Sequence, residues 1–410
     1  MNWPANSASS LSRSEIEKLN QRHAEADALL GIEVTERFEP FNQKDDMFTR
    51  AFWDETVHSA DTDGFFNSYR MEFAARRGEG FNQKDFAFRN ASWAVSDVIS
   101  KRKNEEGKRE GFQAAIDYDT PVAPEKISVE DSALETAEIK QIAKLLGADL
   151  VGITEIDPRW HYSHRVDTRD MSAVPNDLPE GITHVIVMGH AMDHDLVAAY
   201  PSALASAGAG LEYSREAAIV IQLSAYIRNL GFEAVASMND TALAIPYAIK
   251  AGLGEYGRNQ MVITPEFGPR VRFSKVFTSL PLVADKPKPL GIRQYCEGCT
   301  KCAQACPPKA LPFGEATDEP VNRSTIAGVK KWSADCEKCF GYWAKLKSDC
   351  AICMRVCPFN NQNTLLDRIW FRFATSSLRK IAHWIDEKRG MPERLKAKEW
   401  WQKMSTSGNE

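Results

Sequence analysis

The sequence predicts an α+β protein: a mixed α/β core followed by a small cysteine-rich module. Three observations lead there. Apolar runs of strand length alternate with longer periodic segments between residues 131 and 290. All nine cysteines fall between positions 296 and 357. The tail from residue 361 carries no cysteine and is rich in Trp, Lys and Arg.

Residues 1–130 form an aromatic-rich first part. FNQKD occurs at Phe41–Asp45 and again at Phe81–Asp85, with Phe48 and Phe88, then Trp53 and Trp93, at matched offsets. Two similar packing motifs with core aromatics explain this; a Trp lining a pocket is the alternative. Residues 101–130 are polar and charged, with Pro121 and Pro124, and read as a surface insertion or linker. The core follows over residues 131–290. Ser132 with Glu135 makes a capping box ahead of a periodic helix that ends near Gly147. Segments 149–154, 182–188 and 232–237 read as strands. Residues 211–230 read as a long helix stopped by Gly231. The glycine-rich stretch K-A-G-L-G-E-Y-G-R-N-Q spans 250–260 and precedes a strand at 261–264. It follows a helix, so it lacks the strand–loop–helix context of a dinucleotide fingerprint. A tight helix-to-strand turn accounts for it on its own. The cysteine module covers 291–360. The tail, 361–410, holds an amphipathic segment near 369–389 and is expected to pack on the body.

Composition narrows the function. The 410 residues are 43% hydrophobic and 26% charged, as in an ordinary globular chain. A net charge of −5 argues against a nucleic-acid partner held mainly through phosphates. No uninterrupted apolar run approaches the roughly 18 residues that span a bilayer. The start, MNWPANSASS, has neither a charged n-region nor an apolar h-region. Arg76 and Arg77 form a twin-arginine pair, but an internal one with no apolar stretch after it.

The cysteine spacing is the most specific signal. Cys296, Cys299, Cys302 and Cys306 precede Pro307, and Cys350, Cys353 and Cys357 precede Pro358. Two-residue gaps let one loop wrap three thiolates around a cluster, and the cysteine before proline reaches the other cluster. Zinc sites rarely repeat this pattern, and a disulfide framework suits a small chain lacking a core. The expectation is a bacterial ferredoxin-like module with two 4Fe-4S clusters. Cys296, Cys299, Cys302 and Cys357 hold one. Cys306, Cys350, Cys353 and one of Cys336 or Cys339 hold the other, Cys339 being favoured with Cys336 spare.

The stretch A-G-L-G-E-Y-G-R-N-Q-M-V-I-T-P-E-F-G, followed by V-F-T-S-L-P-L, resembles the corrinoid-binding segment shared by epoxyqueuosine reductases and reductive dehalogenases. E-Y-G-R and G-P-R-V-R resemble the respiratory reductive dehalogenase branch. The likeness runs from about residue 30 to 365. It implies a nitroreductase-like corrinoid-binding core and a cobalamin-type corrinoid bound base-off. No His has Asp two positions before it, so the D-x-H-x-x-G motif is absent. It implies cofactor contacts at Gly252, Gly254, Gly257, Thr264 and Pro265. It also implies Tyr213 as proton donor, Arg272 as its cationic partner and Asn239 holding the phenol oxygen or the departing halide. A neighbouring guanidinium should make the phenol a better acid. Trp343, Trp93 and Phe38 are expected to wall a small substrate pocket, shielding of the cluster from water being the alternative. His161, His164, His190 and His194 are expected to satisfy the core, contact with corrinoid edges being the alternative. The implied substrate is a small organohalide, a chloroalkane such as chloroform. Implied partners are a separate membrane-anchor subunit, a low-potential electron donor and a second copy of the chain. The implied location is peripheral, on the outer face of the cytoplasmic membrane, as a mature form without its leader; the cytoplasm is the alternative. Two other functions compete. An epoxyqueuosine reductase acting on tRNA should offer a basic surface and an aspartate donor. A corrinoid-free electron carrier would leave the long upstream region without a role.

Overall fold

The computed structural model describes residues 13–70, 78–99, 116, 120–167 and 170–407. Arg76, Arg77 and residues 101–115 of the predicted linker lie outside these. A four-stranded sheet forms the centre: β1 (Leu150–Glu155), β2 (His184–Ala191), β3 (Ala234–Ser237) and β4 (Val271–Thr278). Its order is β1-β2-β4-β3, and every pairing is antiparallel. The chain is therefore α+β by topology, although helices occupy the crossovers. Within the register, His190 lies opposite Arg272, and Ser237 opposite Lys275.

β2 reads as a continuous apolar run because both of its faces are covered. Ile186 and Met188 join Val220, Leu223 and Ile227 of helix α6 (Ala203–Asn229). Val185 and Val187 join Tyr247 and Ile249 of helix α7 (Ala244–Lys250). All four strand residues are fully buried, each worth about 1.5–3 kcal/mol of transfer free energy.

Two helix boundaries differ from the sequence expectation. Helix α5 (Ser132–Leu145) is capped by Asp131, whose carboxylate accepts from the Ala133 and Leu134 amides, and not by Ser132. An ionised carboxylate is the stronger acceptor for the orphan amides at a helix start. Helix α6 begins at Ala203, eight residues before the expected 211, capped by the Ser202 hydroxyl on the Ala205 amide. Its first turns, A-L-A-S-A-G-A-G, lack the large apolar residues that reveal a helix by periodicity. Small side chains are what the packing needs there. Helix α4 (Gln83–Ser92) lies so close that a Cβ on Gly210 would sit 2.1 Å from Ser92 Oγ and 2.5 Å from Trp93 Cδ1.

Helix α1 (Arg13–Leu30) is tied to the core through a buried ionic cluster. Lys250 Nζ lies 2.6 Å from Asp157 and 3.4 Å from Asp27, and Arg159 reaches the same two carboxylates at 2.6 and 2.8 Å. Burial works against the Asp157 charge. Arg159, Lys250 and His23 outweigh it and hold the carboxyl well below its ordinary range. Helices α2 (Met47–Trp53) and α3 (Ala60–Asn67) pack against α8 (Cys336–Leu346). The thiols hang on short helices and loops between Ile292 and Cys357. The tail forms α9 (Leu365–Ala374), α10 (Arg379–Arg389) and α11 (Ala397–Ser407). It packs back on the body: Trp400 stacks on Phe88 at 5.7 Å, and Trp401 Nε1 donates to Asp85 at 2.8 Å. Among the described residues no helix is long and apolar enough to cross a membrane.

The two FNQKD segments serve the same local end. Asn42 and Asn82 each begin a helical segment. Beyond that they diverge. Trp53 donates Nε1 to Lys44 O beneath the Arg323 guanidinium, whereas Trp93 turns inward.

Candidate active site

Tyr213 projects from the middle of α6 and is buried. Its hydroxyl oxygen accepts from Asn239 Nδ2 at 2.7 Å and from Arg272 Nη1 at 3.4 Å. Asn239 follows β3, and Arg272 sits on β4, so sheet and helix together fix the triad. Two accepted bonds occupy the oxygen's lone pairs, which leaves its own proton as what it can give. Trp93 stacks on the ring at 4.9 Å and 25°, an approach that Gly210 makes room for. Burial pushes the phenol above its ordinary value, and Arg272 and the Asn239 bond do not cancel it. The acidification expected from Arg272 is thus outweighed, and the phenol keeps its proton at neutral pH. Arg272 stays charged. Burial opposes this, but Tyr213, Tyr200, Asp349 and Glu216 outweigh burial.

Tyr213 stands where two cavities meet. The smaller, about 70 Å³, is walled by Phe48, Phe65, Phe66, Tyr69, Trp93 and Trp343, with Arg272 at its edge. Trp343 Nε1 and Arg272 Nε are buried there without a hydrogen-bond partner among the described residues. The larger, about 410 Å³, runs from Tyr213 and Asn239 toward Cys336. Its walls are largely apolar, from Trp160, Leu243, Ile245 and Pro246, while Arg293 and Lys331 supply cationic groups. Burial lowers the Lys331 ammonium to about 8. Sequence reasoning missed Phe65, Phe66, Tyr69 and Trp160. For the first three, the density of aromatics in the first hundred residues was the only signal, and it does not say which ring faces a cavity; Trp160 had none.

The cysteines gather in two sets. Cys296, Cys299, Cys302 and Cys357 line one small void with Arg258, Asn259 and Ile263. Cys339 and Cys353 sit within charge-interaction range of Cys350 and Cys306. Cys336 turns away to the large cleft, with Gln260 Nε2 4.0 Å from its sulfur. Burial raises the Cys302 and Cys350 thiols to about 12 and pushes Cys357 well above its ordinary value, with neighbouring thiols adding to it. Such a set carries charge only when a cation compensates it, which suits thiolate ligation of iron. The hairpin of Glu255–Tyr256 and Val262–Ile263 serves both regions. Arg258, Asn259 and Ile263 face the thiol void, while Tyr256 and Gln260 face the cleft. Arg258 is pinned by the carbonyls of Cys296, Glu297, Cys299, Pro312 and Gly314 and lies over Trp332.

Several expected residues lie elsewhere. Gly252, Gly254, Gly257, Thr264 and Pro265 are not in the cleft wall. The structure gives the glycines a steric role. A Cβ on Gly254 would sit 2.4 Å from Ile263 O, one on Gly257 2.4 Å from Ile263 Cδ1, and Gly252 has φ +75. Thr264 Oγ1 instead bonds Gly268 O at 3.2 Å and closes a turn. Phe38 stands behind the cleft, edge-on to Trp160 at 5.6 Å, and touches neither cavity. His161 bonds Tyr247 Oη at 2.8 Å, His190 bonds Ser274 Oγ at 2.7 Å and His194 bonds Gln362 at 2.9 Å. None of these, nor His164, is in the wall of either cavity.

Residues 295–360 match the 4Fe-4S double cluster binding domain. The chain is 33% identical over 305 residues to the tetrachloroethene reductive dehalogenase of Sulfurospirillum multivorans, covering 67% of this chain and 60% of that protein. The chain belongs to the reductive dehalogenase family. It spans less than two thirds of the length of that relative. A solved reductive dehalogenase, reported with a mechanism for B12-dependent dehalogenation, superposes with a TM-score of 0.66 at 22% identity, over 88% of this chain and 48% of that one. This likeness establishes a shared fold. Similarity to epoxyqueuosine reductase of Bacillus cereus is confined to 145 residues at 35% identity, 34% of this chain and 36% of the relative.

Proposed function

We propose that this chain is a reductive dehalogenase acting on a small chlorinated aliphatic of chloroalkane size. The reaction is R–Cl + 2 e⁻ + H⁺ → R–H + Cl⁻. One observation carries the reading: a buried, protonated phenol, clamped by Asn239 and Arg272, stands where a small aromatic pocket meets a large cleft.

The donor sets fit the cofactors that family membership implies. Cys296, Cys299, Cys302 and Cys357 would hold one 4Fe-4S cluster, and Cys306, Cys339, Cys350 and Cys353 the other. The large cleft would take a cobalamin-type corrinoid, and Trp160, Leu243, Pro246, Arg293 and Lys331 are residues that would hold it. When bound, that corrinoid supplies low-valent cobalt able to draw the halogen from carbon.

This chain's own residues do the rest. Phe48, Phe65, Phe66, Trp93 and Trp343 exclude water and select a compact apolar substrate. Tyr213 Oη holds the proton that replaces the halogen. Arg272 stabilises the phenolate left behind, and Asn239 keeps the oxygen in place. The unpartnered N–H groups of Trp343 and Arg272 suit the departing chloride. We assign the division of labour as residues 1–290 for corrinoid and substrate, 291–360 for the clusters and 361–410 for the packing tail. Exposed Leu365, Leu366, Ile369, Ile381 and Trp384 give α9 and α10 an apolar face suited to a membrane-anchor subunit. That placement agrees with a peripheral protein on the outer membrane face, fed by a low-potential donor.

The test is reconstitution with iron, sulfide and a corrinoid, then metal analysis and a chloride-release screen on small chlorinated compounds with a low-potential reductant. The expected result is about eight irons and one cobalt per chain, with chloride released. Iron loading without any corrinoid retention would leave only an electron carrier. Reduction of epoxyqueuosine in tRNA without chloride release would select the rival enzyme.

A further inference from the structure

Every turnover leaves Tyr213 without its proton, and the pocket that protects the chemistry also bars water from restoring it. Two carboxyl groups on the same helix answer that need. Glu216 and Glu212 lie three residues after and one before Tyr213 on α6. Positions three or four apart on a helix place their Cβ atoms about 5–6 Å from each other. That sets Tyr213 beside Glu216, and Glu216 beside Glu212, along one face of the helix. Glu216 is fully buried, and neither of its oxygens has a hydrogen-bond partner among the described residues. Glu212 Oε2 is likewise buried, 3.3 Å from Arg215 Nη1. Arg215 reaches the surface, where it pairs with Asp149 at 2.5 Å. Neither glutamate lines the aromatic pocket or the cleft.

A buried carboxyl with no fixed partner is costly as an anion and serves no structural ion pair. We propose that Glu216 and Glu212 form a proton relay that recharges Tyr213 from solvent at the Arg215 end. Glu216 Oε–H gives its proton to the Tyr213 phenolate. Glu212 then reprotonates Glu216, and water at the surface reprotonates Glu212. One O–H bond forms and one breaks at each step, and no electrons move. Neither residue touches the substrate; both are positioning residues that act through Tyr213. The inference rests on the dehalogenase reading.

The electrostatics agree with this geometry. Glu216 faces Arg272 and Lys275 from β4 and Tyr213 and Glu212 from its own helix. Burial dominates and raises it to about 8. Glu212 faces Arg215, Asp149, Arg272 and Arg270, and burial raises it to about 7. At neutral pH the inner carboxyl therefore holds its proton while the outer one exchanges.

Two measurements test the relay. Infrared difference spectra of the cofactor-free protein, labelled with ¹³C-glutamate, should show a buried carboxylic-acid C=O band at pH 7. That band should titrate away near pH 8 and vanish in Glu216→Gln. No protonated carboxyl at pH 7 in the parent protein overturns the proposal without reference to any variant. In the loaded enzyme, Glu216→Gln should turn over about 10²-fold more slowly in the steady state. It should show a first-turnover burst absent from the parent, and lose the parent's alkaline limb near pH 8. Glu216→Asp should restore most of the rate. Unchanged turnover and pH profile in Glu216→Gln sink the relay and leave the dehalogenase reading intact. A parent enzyme that releases no chloride removes both.

Discussion

Replacing Tyr213 by Phe separates chemistry from architecture. The substitution deletes one oxygen and keeps the ring, so the stacking on Trp93 at 4.9 Å persists. The losses are the 2.7 Å bond from Asn239 and the 3.4 Å contact from Arg272. A hydrogen bond of ordinary length is worth about 1 kcal/mol net. In the cofactor-free protein Asn239 borders the open cleft, where water can satisfy its amide, so that fold should lose about 1 kcal/mol. Removing a general acid costs about 10²–10⁴ in rate. At 1.36 kcal/mol per tenfold, that is about 2.7–5.4 kcal/mol of transition-state stabilisation. Activity should therefore fall several times further than stability. The assay is chloride release with a low-potential reductant, on preparations matched for cobalt and iron, beside thermal unfolding of both proteins. Chloride release within about twofold of the parent at equal cofactor content would refute Tyr213 as the donor.

Further expectations concern the clusters and the core. Cys339→Ser should lose cluster iron and its spectrum, while Cys336→Ser should keep the iron of the parent; equal losses would show that Cys336 is a ligand. Gly268→Ala should lower stability by at least about 2 kcal/mol and reduce iron loading. Its φ is +60, and a Cβ would sit 2.0 Å from Phe359 O, beside Cys357; iron analysis and melting check both. Lys250→Met should cost about 3–5 kcal/mol in urea unfolding, because it strips a cation from the buried Asp157 and Asp27. Acid should destabilise the fold through histidines buried as neutral rings. Burial lowers His161 to about 4 and His190 to about 3, from 6.5 in the unfolded chain. The unfolded state thus binds protons first, so stability is full above pH 6.5 and falls as pH drops toward 4 and then 3. Urea midpoints that stay flat between pH 7 and pH 4 would contradict this.

Legibility in the sequence followed how local each constraint was. The thiol sets were readable because a wrapping loop fixes the spacing, and Cys357 crossing to the first set follows from the proline-terminated motif. β2 was readable because Val185 to Met188 are all apolar. The start of α6 was not, since A-S-A-G-A-G is selected for close contact with α4, and small residues carry no periodic signal. Tyr213, Arg272 and Asn239 came from family likeness; spacing alone does not bring a helix, a strand and a loop to one oxygen. The cleft was least legible, because its wall draws on residues from Ile32 to Cys336. The glycines of 252–257 are ambiguous for a related reason. A turn squeezed by Ile263 and a loop pressed by a ligand demand the same residue type.

The hairpin around Arg258 has a mechanical consequence. It touches the thiol void on one side and the cleft on the other, and five carbonyls hold its guanidinium still. Electron tunnelling is exponentially sensitive to the gap it must jump, so a hinge at this spot would make the current flicker. In the proposed dehalogenase this short hairpin would work instead as a spacer bar, setting one separation between donor and acceptor and keeping it while substrates come and go.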